Sequence, residues 1–174
     1  PYHQTQYRDF MDAKSDQLCF VCHANDRSTK GLVFTNMKQE YKKGKKGCVD
    51  CHMGPKKKGV ASTLIADNGK PKNRKIRKHA FPGAHTQAMW KDALVLSLKQ
   101  KNGNIAIKLK NPQPHNIPSG FGSRELIVDI SYKKGNKEID KKSISLTRHY
   151  TRRRGKATIP HAAEKASKDM SIPA

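Results

Sequence analysis

The sequence predicts an α+β protein with a mostly helical or irregular N-terminal half, followed by an antiparallel β-sheet or a partial β-sandwich. From Ala93 onward, apolar residues alternate with polar ones on both sides of Asn102-Gly103, a dipeptide that favours two-residue hairpin turns. Before Ala93, lysine- and glycine-rich stretches indicate solvated loops. A helical pattern begins at Thr86, which is a suitable N-cap.

The second half repeats its strand pattern after the first hairpin. Leu126, Val128 and Ile130 alternate with polar residues ahead of a Gly135-Asn136 turn, and a similar alternation follows it. We therefore expect four or five antiparallel strands in residues 93–150. The predicted domains are a first region at 1–92, a β domain at 93–150 and a basic, irregular tail at 151–174, where no period is convincing.

The composition leaves little material for a hydrophobic core. Of 174 residues, 34% are hydrophobic, 6% are aromatic and 29% are charged. A chain this polar needs help to hold a compact fold, and disulfides, a metal or a covalently held cofactor could supply it. No run of eighteen apolar residues occurs, so no transmembrane segment is predicted.

All four cysteines fall in two similar stretches, CFVCH at 19–23 and CVDCH at 48–52. They could form two disulfides, supply thiolates to a zinc site, or attach two c-type haems. A zinc ribbon has no need of a histidine directly after the second cysteine of both pairs. Haem attachment does, because two thiols bond the porphyrin edge and the adjacent imidazole binds iron. The motif therefore favours two covalent haem c groups, attached through Cys19, Cys22, Cys48 and Cys51.

The haem interpretation assigns His23 and His52 as the proximal iron ligands. Packing around the porphyrins would then organise the N-terminal half, since each offers a large apolar face that neighbouring apolar side chains could cover. The four cysteines would be blocked by haem, so no disulfide is expected.

Two further stretches carry histidines in a suggestive context. His79 opens HAFPGAH and His85 closes it, and the proline and glycine between them prevent a shared helical face. His115 lies between prolines in NPQPHNIPSGFGSRE, a stiff extended loop that could hold a ligand at fixed geometry. An ordinary proline-rich crossover between strands would look the same.

These stretches resemble a multihaem c-type cytochrome family. In that family, C-x-x-C-H motifs are followed by H-x-F-x-G-A-[NH] and then by N-x-x-x-[GA]-H-x-x-P-[TS]-G, which opens a β-sandwich; CVDCHM also matches its common C-x-x-C-H-M form. The resemblance implies that His79 and His115 are distal iron ligands, with His85 the third-ranked distal candidate. It also implies further strands beyond the final segment, so we expect either a chain that stops partway through its sandwich or a partner that completes the sheet.

The net charge is +22, with 36 Lys and Arg against 14 Asp and Glu. Aromatic residues are not interleaved with the basic runs and no nucleic-acid motif occurs, so we expect no nucleic-acid partner. The charge favours electrostatic steering toward an acidic redox partner protein. A solvated basic surface without a partner is the alternative.

The leading interpretation is a dihaem c-type cytochrome that transfers single electrons to or from a redox partner. It could serve as a basic subunit of a larger multihaem oxidoreductase, in a hetero-oligomer. The alternative is a small haem enzyme, a peroxidase or oxyanion reductase, with one open iron site. Because thioether haem attachment by the bacterial route occurs outside the cytoplasmic membrane, we expect a periplasmic or otherwise exported bacterial protein whose signal peptide has been removed.

Overall fold

The computed structural model of the chain describes residues 16–42, 44, 46–60 and 73–174. The chain divides into two units. The first comprises Pro1–Val21 and Lys43–Lys91, and the second comprises Cys22–Lys42 and Asp92–Ala174. Residues 1–15 and 61–72 of the predicted 1–92 region lie outside the described residues. No helix in the described part of the chain is long and apolar enough to cross a membrane.

Where the structure describes it, the first unit contains only short elements. Helix α1 (Gln17–His23) begins in this unit, and its last two residues belong to the second. Helix α3 (Cys48–His52) ends just before Gly54-Pro55, which cannot continue it, since Gly54 has a positive φ of 62°. Strands β3 (Lys57–Val60) and β4 (Asn73–Ile76) form an antiparallel pair. A 3₁₀ turn at Gln87–Met89 is all that forms of the helix predicted from Thr86.

The prediction of a mostly helical or irregular N-terminal half, and with it the α+β class, is wrong. The described residues are mainly β-strands in antiparallel sheets, and their three helices contain seven, four and five residues. None of the described helices exceeds two turns, and helices this short are marginal without tertiary contacts, so local helix signals decide little. Residues after α1 and residues after α3 each form a short antiparallel strand pair instead.

The second unit begins with one of these hairpins, β1 (Asp26–Arg27) and β2 (Val33–Thr35). Helix α2 (Met37–Glu40) follows directly. The Asn36 side chain caps it by accepting a hydrogen bond from the Gln39 amide at 3.2 Å.

The first long hairpin joins β5 (Val95–Lys101) to β6 (Asn104–Lys110) through Asn102-Gly103, which confirms the turn prediction. Both turn residues have positive φ, as a two-residue hairpin of this type requires. The register places opposite residues on the same face. Apart from Gln100, one face of the hairpin is apolar and consists of Leu96, Leu98, Ile105, Ile107 and Leu109. The opposite face, called the lysine face below, carries Lys99, Lys101, Lys108 and Lys110.

A three-stranded sheet follows, in the order β7 (Glu125–Lys134), β8 (Lys137–Thr151), β9 (Lys165–Asp169). The β7–β8 turn lies at Gly135-Asn136, as predicted. Strand β9 lies in the range 151–174, so the irregular tail predicted there contains a strand. All five of its residues are exposed, and a strand without an apolar face leaves no hydrophobic period to detect.

A small apolar core closes the second unit. It consists of Phe34, Tyr150 and Ala163, with Leu32 packed against it. The Tyr150 hydroxyl donates a 3.1 Å hydrogen bond to the Phe34 carbonyl, so the buried phenol is satisfied. This hydrogen bond joins strands β2 and β8, which lie far apart in the sequence.

An ion-pair network adds to this core. Arg148 on β8 donates to a Glu40 carboxylate oxygen at 2.7 Å and to an Asp169 carboxylate oxygen at 2.9 Å. The side chains of Arg148 and Glu40 are only 8% and 11% exposed. The Ser119 hydroxyl also donates to Glu40, at 2.6 Å. Helix α2, strand β8 and strand β9 are therefore tied together by charge.

Candidate haem-binding site

The first cysteine motif lies on a short helix. Helix α1 places Cys19 and Cys22 one turn apart, so their side chains lie on the same side of the helix, and His23 ends it. Cys22 and His23 are exposed. The apolar neighbours Leu18 and Val21 are 57% and 68% exposed. The motif thus presents two thiols and an imidazole among uncovered apolar side chains, as a flat apolar cofactor would require.

The second motif forms helix α3, whose first turn is fixed by acidic side chains. The Cys48 amide donates to Asp16 Oδ1 at 2.7 Å, and the Gly47 amide donates to Asp50 Oδ2 at 3.1 Å. A Cβ on Gly47 would lie 2.7 Å from Asp16 Oδ1, so the close approach of Asp16 requires glycine here. Asp16 is buried, and sequence analysis gave it no role.

The four cysteines are free thiols. Burial, followed by the nearby Asp16 carboxylate, raises the pKa of the Cys48 thiol far above its ordinary value. Burial also raises the pKa of Cys19, although a hydrogen bond with Cys48 opposes the rise. Both thiols are therefore protonated at neutral pH. Among the described residues, no group of three or more His, Cys, Asp or Glu side chains is arranged to hold a metal ion.

His52 is held by the HAFPGAH segment. Its Nδ1 lies 2.7 Å from the Pro82 carbonyl oxygen, which can only accept, so Nδ1 carries the proton. The Phe81 ring stacks on the imidazole with centroids 4.4 Å apart and planes 8° from parallel. This tautomer leaves the lone pair of Nε2 for a metal, which is the arrangement that a proximal iron ligand needs.

The HAFPGAH segment has a constrained backbone. Phe81 adopts φ 45°, in the left-handed region that a bulky side chain rarely occupies. The loop is closed by the Trp90 indole N–H, which donates to the Ala84 carbonyl at 2.7 Å, and by the Thr86 amide, which donates to Gly83 at 2.8 Å. These bonds order residues 83–90, which directly follow the Pro82 carbonyl that His52 contacts.

The predicted distal histidines of this segment are exposed. The His79 ring lies 5.9 Å from that of Phe81. His85 is also exposed, within the turn that the Thr86–Gly83 hydrogen bond closes. Their assignment as distal ligands stays a prediction.

His115 lies in a pinned loop of the second unit. It is half-buried, and its Nδ1 lies 2.9 Å from the Asn116 carbonyl. The buried Asn111 amide donates to the His115 carbonyl at 2.7 Å and to the Ile172 carbonyl at 3.0 Å, while its oxygen accepts from the Gln113 amide. The sequence feature that could have predicted the role of Asn111 is its position before a proline at a strand end, which favours a turn. Whether His115 is a distal ligand stays a prediction.

Arg77 carries a polar atom that the described residues do not satisfy. Its Nη1 donates to the Gly54 carbonyl, two residues after His52, but its Nε is buried without a hydrogen-bond partner. A buried guanidinium N–H without a partner is costly. Haem propionates are carboxylates, and a carboxylate fits this donor well. Free thiols in C-x-x-C-H turns, an oriented His52 and this donor all fit a covalently held haem.

The fold can be compared with known proteins. No protein-family model matches the chain, and no curated protein matches it. Among solved structures, the chain is similar to a penta-heme cytochrome c552 from Thermochromatium tepidum, with a TM-score of 0.66 and 19% sequence identity. The likeness covers 94% of this chain and 42% of that chain, so this chain spans less than half of the solved protein. At this identity the likeness concerns the fold, which is that of part of a multihaem c-type cytochrome.

Proposed function

We propose that the chain is a c-type cytochrome that binds two haems and transfers single electrons. The observation that carries the proposal is the pair of C-x-x-C-H motifs, each on a helical turn with free thiols and a terminal histidine. The penta-heme fold neighbour supports the same class. Each haem, once bound, supplies an iron that gains and loses one electron.

The chain's own residues divide this task. Cys19 and Cys22 would attach one porphyrin and Cys48 and Cys51 the other, with His23 and His52 as axial ligands. His79 and His115 are the proposed distal ligands, and His85 ranks third. Closing both irons with two imidazoles each would leave no open coordination site, which favours electron transfer over the alternative haem enzyme.

A visible absorption spectrum tests the proposal directly. The purified protein is measured oxidised and reduced, its haem is counted as the pyridine haemochrome, and CO is then added. Two haems per chain with a reduced spectrum unmoved by CO support a six-coordinate electron carrier. A spectrum shifted by CO identifies an open iron and supports the peroxidase or reductase alternative. Absence of covalent haem would refute both.

We also propose an acidic redox partner, which could be a larger multihaem enzyme. The lysine face of the β5–β6 hairpin supports this, because Lys99, Lys101, Lys108 and Lys110 share one face. No acidic residue occurs between Val95 and Lys110. The β7–β8 hairpin, in contrast, mixes lysines with acidic residues. A surface of one charge sign steers an oppositely charged protein during encounter.

Salt dependence tests the partner proposal, with an acidic flavoprotein of known charge as the electron donor. Replacing the four lysines of the lysine face by Gln should slow electron transfer at low salt and flatten its dependence on ionic strength. The Debye length falls to about 8 Å at 0.15 M, so the two proteins should converge there. The matched control replaces Lys133, Lys134, Lys137 and Lys141 by Gln, which removes the same charge. Equal effects of both sets would show general attraction without a docking face.

The chemistry of thioether attachment leads us to propose an exported location, such as the periplasm. A compartment outside the cytoplasmic membrane is where the bacterial route joins haem to C-x-x-C-H. Fractionation of cells that express the full gene product, with haem staining of each fraction, tests this. Haem-stained protein confined to the cytoplasm would contradict it.

A further inference from the structure

The C-x-x-C-H motifs assign His52 as an iron ligand but do not say what orients its ring. In the structure, two consecutive residues of the HAFPGAH segment hold the imidazole. Pro82 accepts the Nδ1 proton at 2.7 Å, and Phe81 covers one face of the ring at 4.4 Å. Both contacts lie within the first unit and about thirty residues from the motif in sequence.

We propose that Phe81 and the Pro82 carbonyl form a positioning device that sets the reduction potential of the haem attached through Cys48 and Cys51. This inference rests on the proposed function. A stacked ring restricts rotation of the imidazole, and the carbonyl fixes which nitrogen faces the metal. Neither residue touches iron, so both act through His52.

The backbone of Phe81 supports a dedicated role. A φ of 45° is unfavourable for a bulky side chain, and such conformations persist only where the surroundings determine them. Here the left-handed residue immediately precedes Pro82, whose carbonyl accepts the proton from His52. The Trp90 and Thr86 hydrogen bonds close the loop behind it. The strained residue and the hydrogen-bond acceptor are therefore consecutive in the chain, directly before the turn that these bonds close.

The direction of the effect follows from the hydrogen bond. When Nδ1–H donates to a carbonyl, the imidazole becomes more basic and donates more electron density to the metal. A more electron-rich ligand favours ferric over ferrous iron and lowers the reduction potential. Loosening the bond should therefore make this haem easier to reduce.

The test is a Phe81→Leu substitution in the haem-loaded protein, followed by spectroelectrochemical titration. Leu keeps apolar bulk but loses the flat ring that holds the imidazole. We expect the equilibrium constant for reduction of one haem to rise about tenfold, which is roughly 59 mV for one electron. The other haem should change only if His79, whose ring lies 5.9 Å from that of Phe81, is its distal ligand. NMR of the reduced protein should show the His52 Nδ1 proton exchanging with solvent about tenfold faster, as expected for a weakened hydrogen bond.

Two further variants separate positioning from general loosening. Phe81→Tyr keeps the stacked ring and should restore the potential and the slow proton exchange. Phe121→Leu changes a similarly exposed phenylalanine that packs near another histidine, His161, at 5.9 Å, and should move neither potential. If Phe81→Leu leaves both potentials and the exchange rate unchanged while two haems are bound, the positioning role is refuted and the proposed function stands. If no haem is bound to the unmodified protein, the proposed function itself fails.

Discussion

Each of the two units is stabilised internally by a different kind of interaction. In the second unit, Phe34, Tyr150 and Ala163 are buried and a charged network surrounds Arg148. In the described part of the first unit no apolar side chain is buried, and helices α1 and α3 bury no residue. The first unit is instead ordered by hydrogen bonds around Asp16, His52 and Pro82. The comparison shows that the described residues of the first unit form no apolar core, and under the proposed function the haems supply one.

We expect the largest effect from removing the attachment site of one haem. Replacing Cys48 and Cys51 by Ser should lower the haem count from two to one per chain. Amides of α3 should lose hydrogen-exchange protection because their packing partner is gone, whereas β7 and β8 should keep theirs. The pyridine haemochrome and exchange mass spectrometry measure the two effects. Equal loss of protection in both units would contradict the idea that the second unit supports itself.

We expect the next largest effect from disrupting the charged network around Arg148, and this effect should be confined to the second unit. Arg148→Met leaves the Glu40 carboxylate buried without its cation and should cost about 3 kcal/mol in the free energy of unfolding. Denaturant unfolding followed by far-UV circular dichroism measures it, and the haem count should stay unchanged. Arg153→Met, at an exposed position, is the control and should stay within about 0.5 kcal/mol. A matching loss in the control would show that charge number, and not the network, matters.

A smaller effect is expected from overpacking the small core. A Cβ on Gly122 would lie 2.8 Å from a Phe34 ring carbon and 3.0 Å from Pro160. Gly122→Ala should therefore destabilise the second unit by about 1–3 kcal/mol. Gly44→Ala is the control in the first unit, where a Cβ meets nothing within 4 Å. Similar unfolding midpoints for the two variants would mean that Phe34 and Pro160 can move aside.

The smallest effect concerns pH. Burial raises the pKa of Asp169, but hydrogen bonds from Ser171 and the charge of Arg148 outweigh it and hold the pKa below its ordinary value of 3.8. A lowered folded pKa contributes stability above the unfolded value, and this is lost as the pH falls through the folded one. Unfolding free energy should therefore drop below about pH 4 in the unmodified protein. Asp169→Asn should flatten that drop; parallel curves would exclude Asp169 as its source.

Sequence patterns predicted the local parts of this protein well. The Asn102-Gly103 and Gly135-Asn136 turns are where the alternation placed them, because a hairpin turn depends on the φ preferences of two neighbouring residues. The haem interpretation of the cysteine–histidine motifs also rests on local spacing, and it stays a prediction. The prediction of a helical first half was wrong, because helices of one or two turns are marginal by themselves and local helix signals do not decide whether they form.

Only the tertiary structure decided the contacts between distant segments. Asp16 caps helix α3 from 32 positions away, Pro82 holds His52 from 30, and Arg148 joins Glu40 across 108. Sequence periodicity does not predict such pairs, because each one depends on the tertiary fold and not on local conformational preferences. The sequence by itself indicated which residues are candidates for haem attachment, and it determined where the hairpins turn. The fold decided which histidine is oriented, since orienting a ring requires partners that only long-range packing brings together.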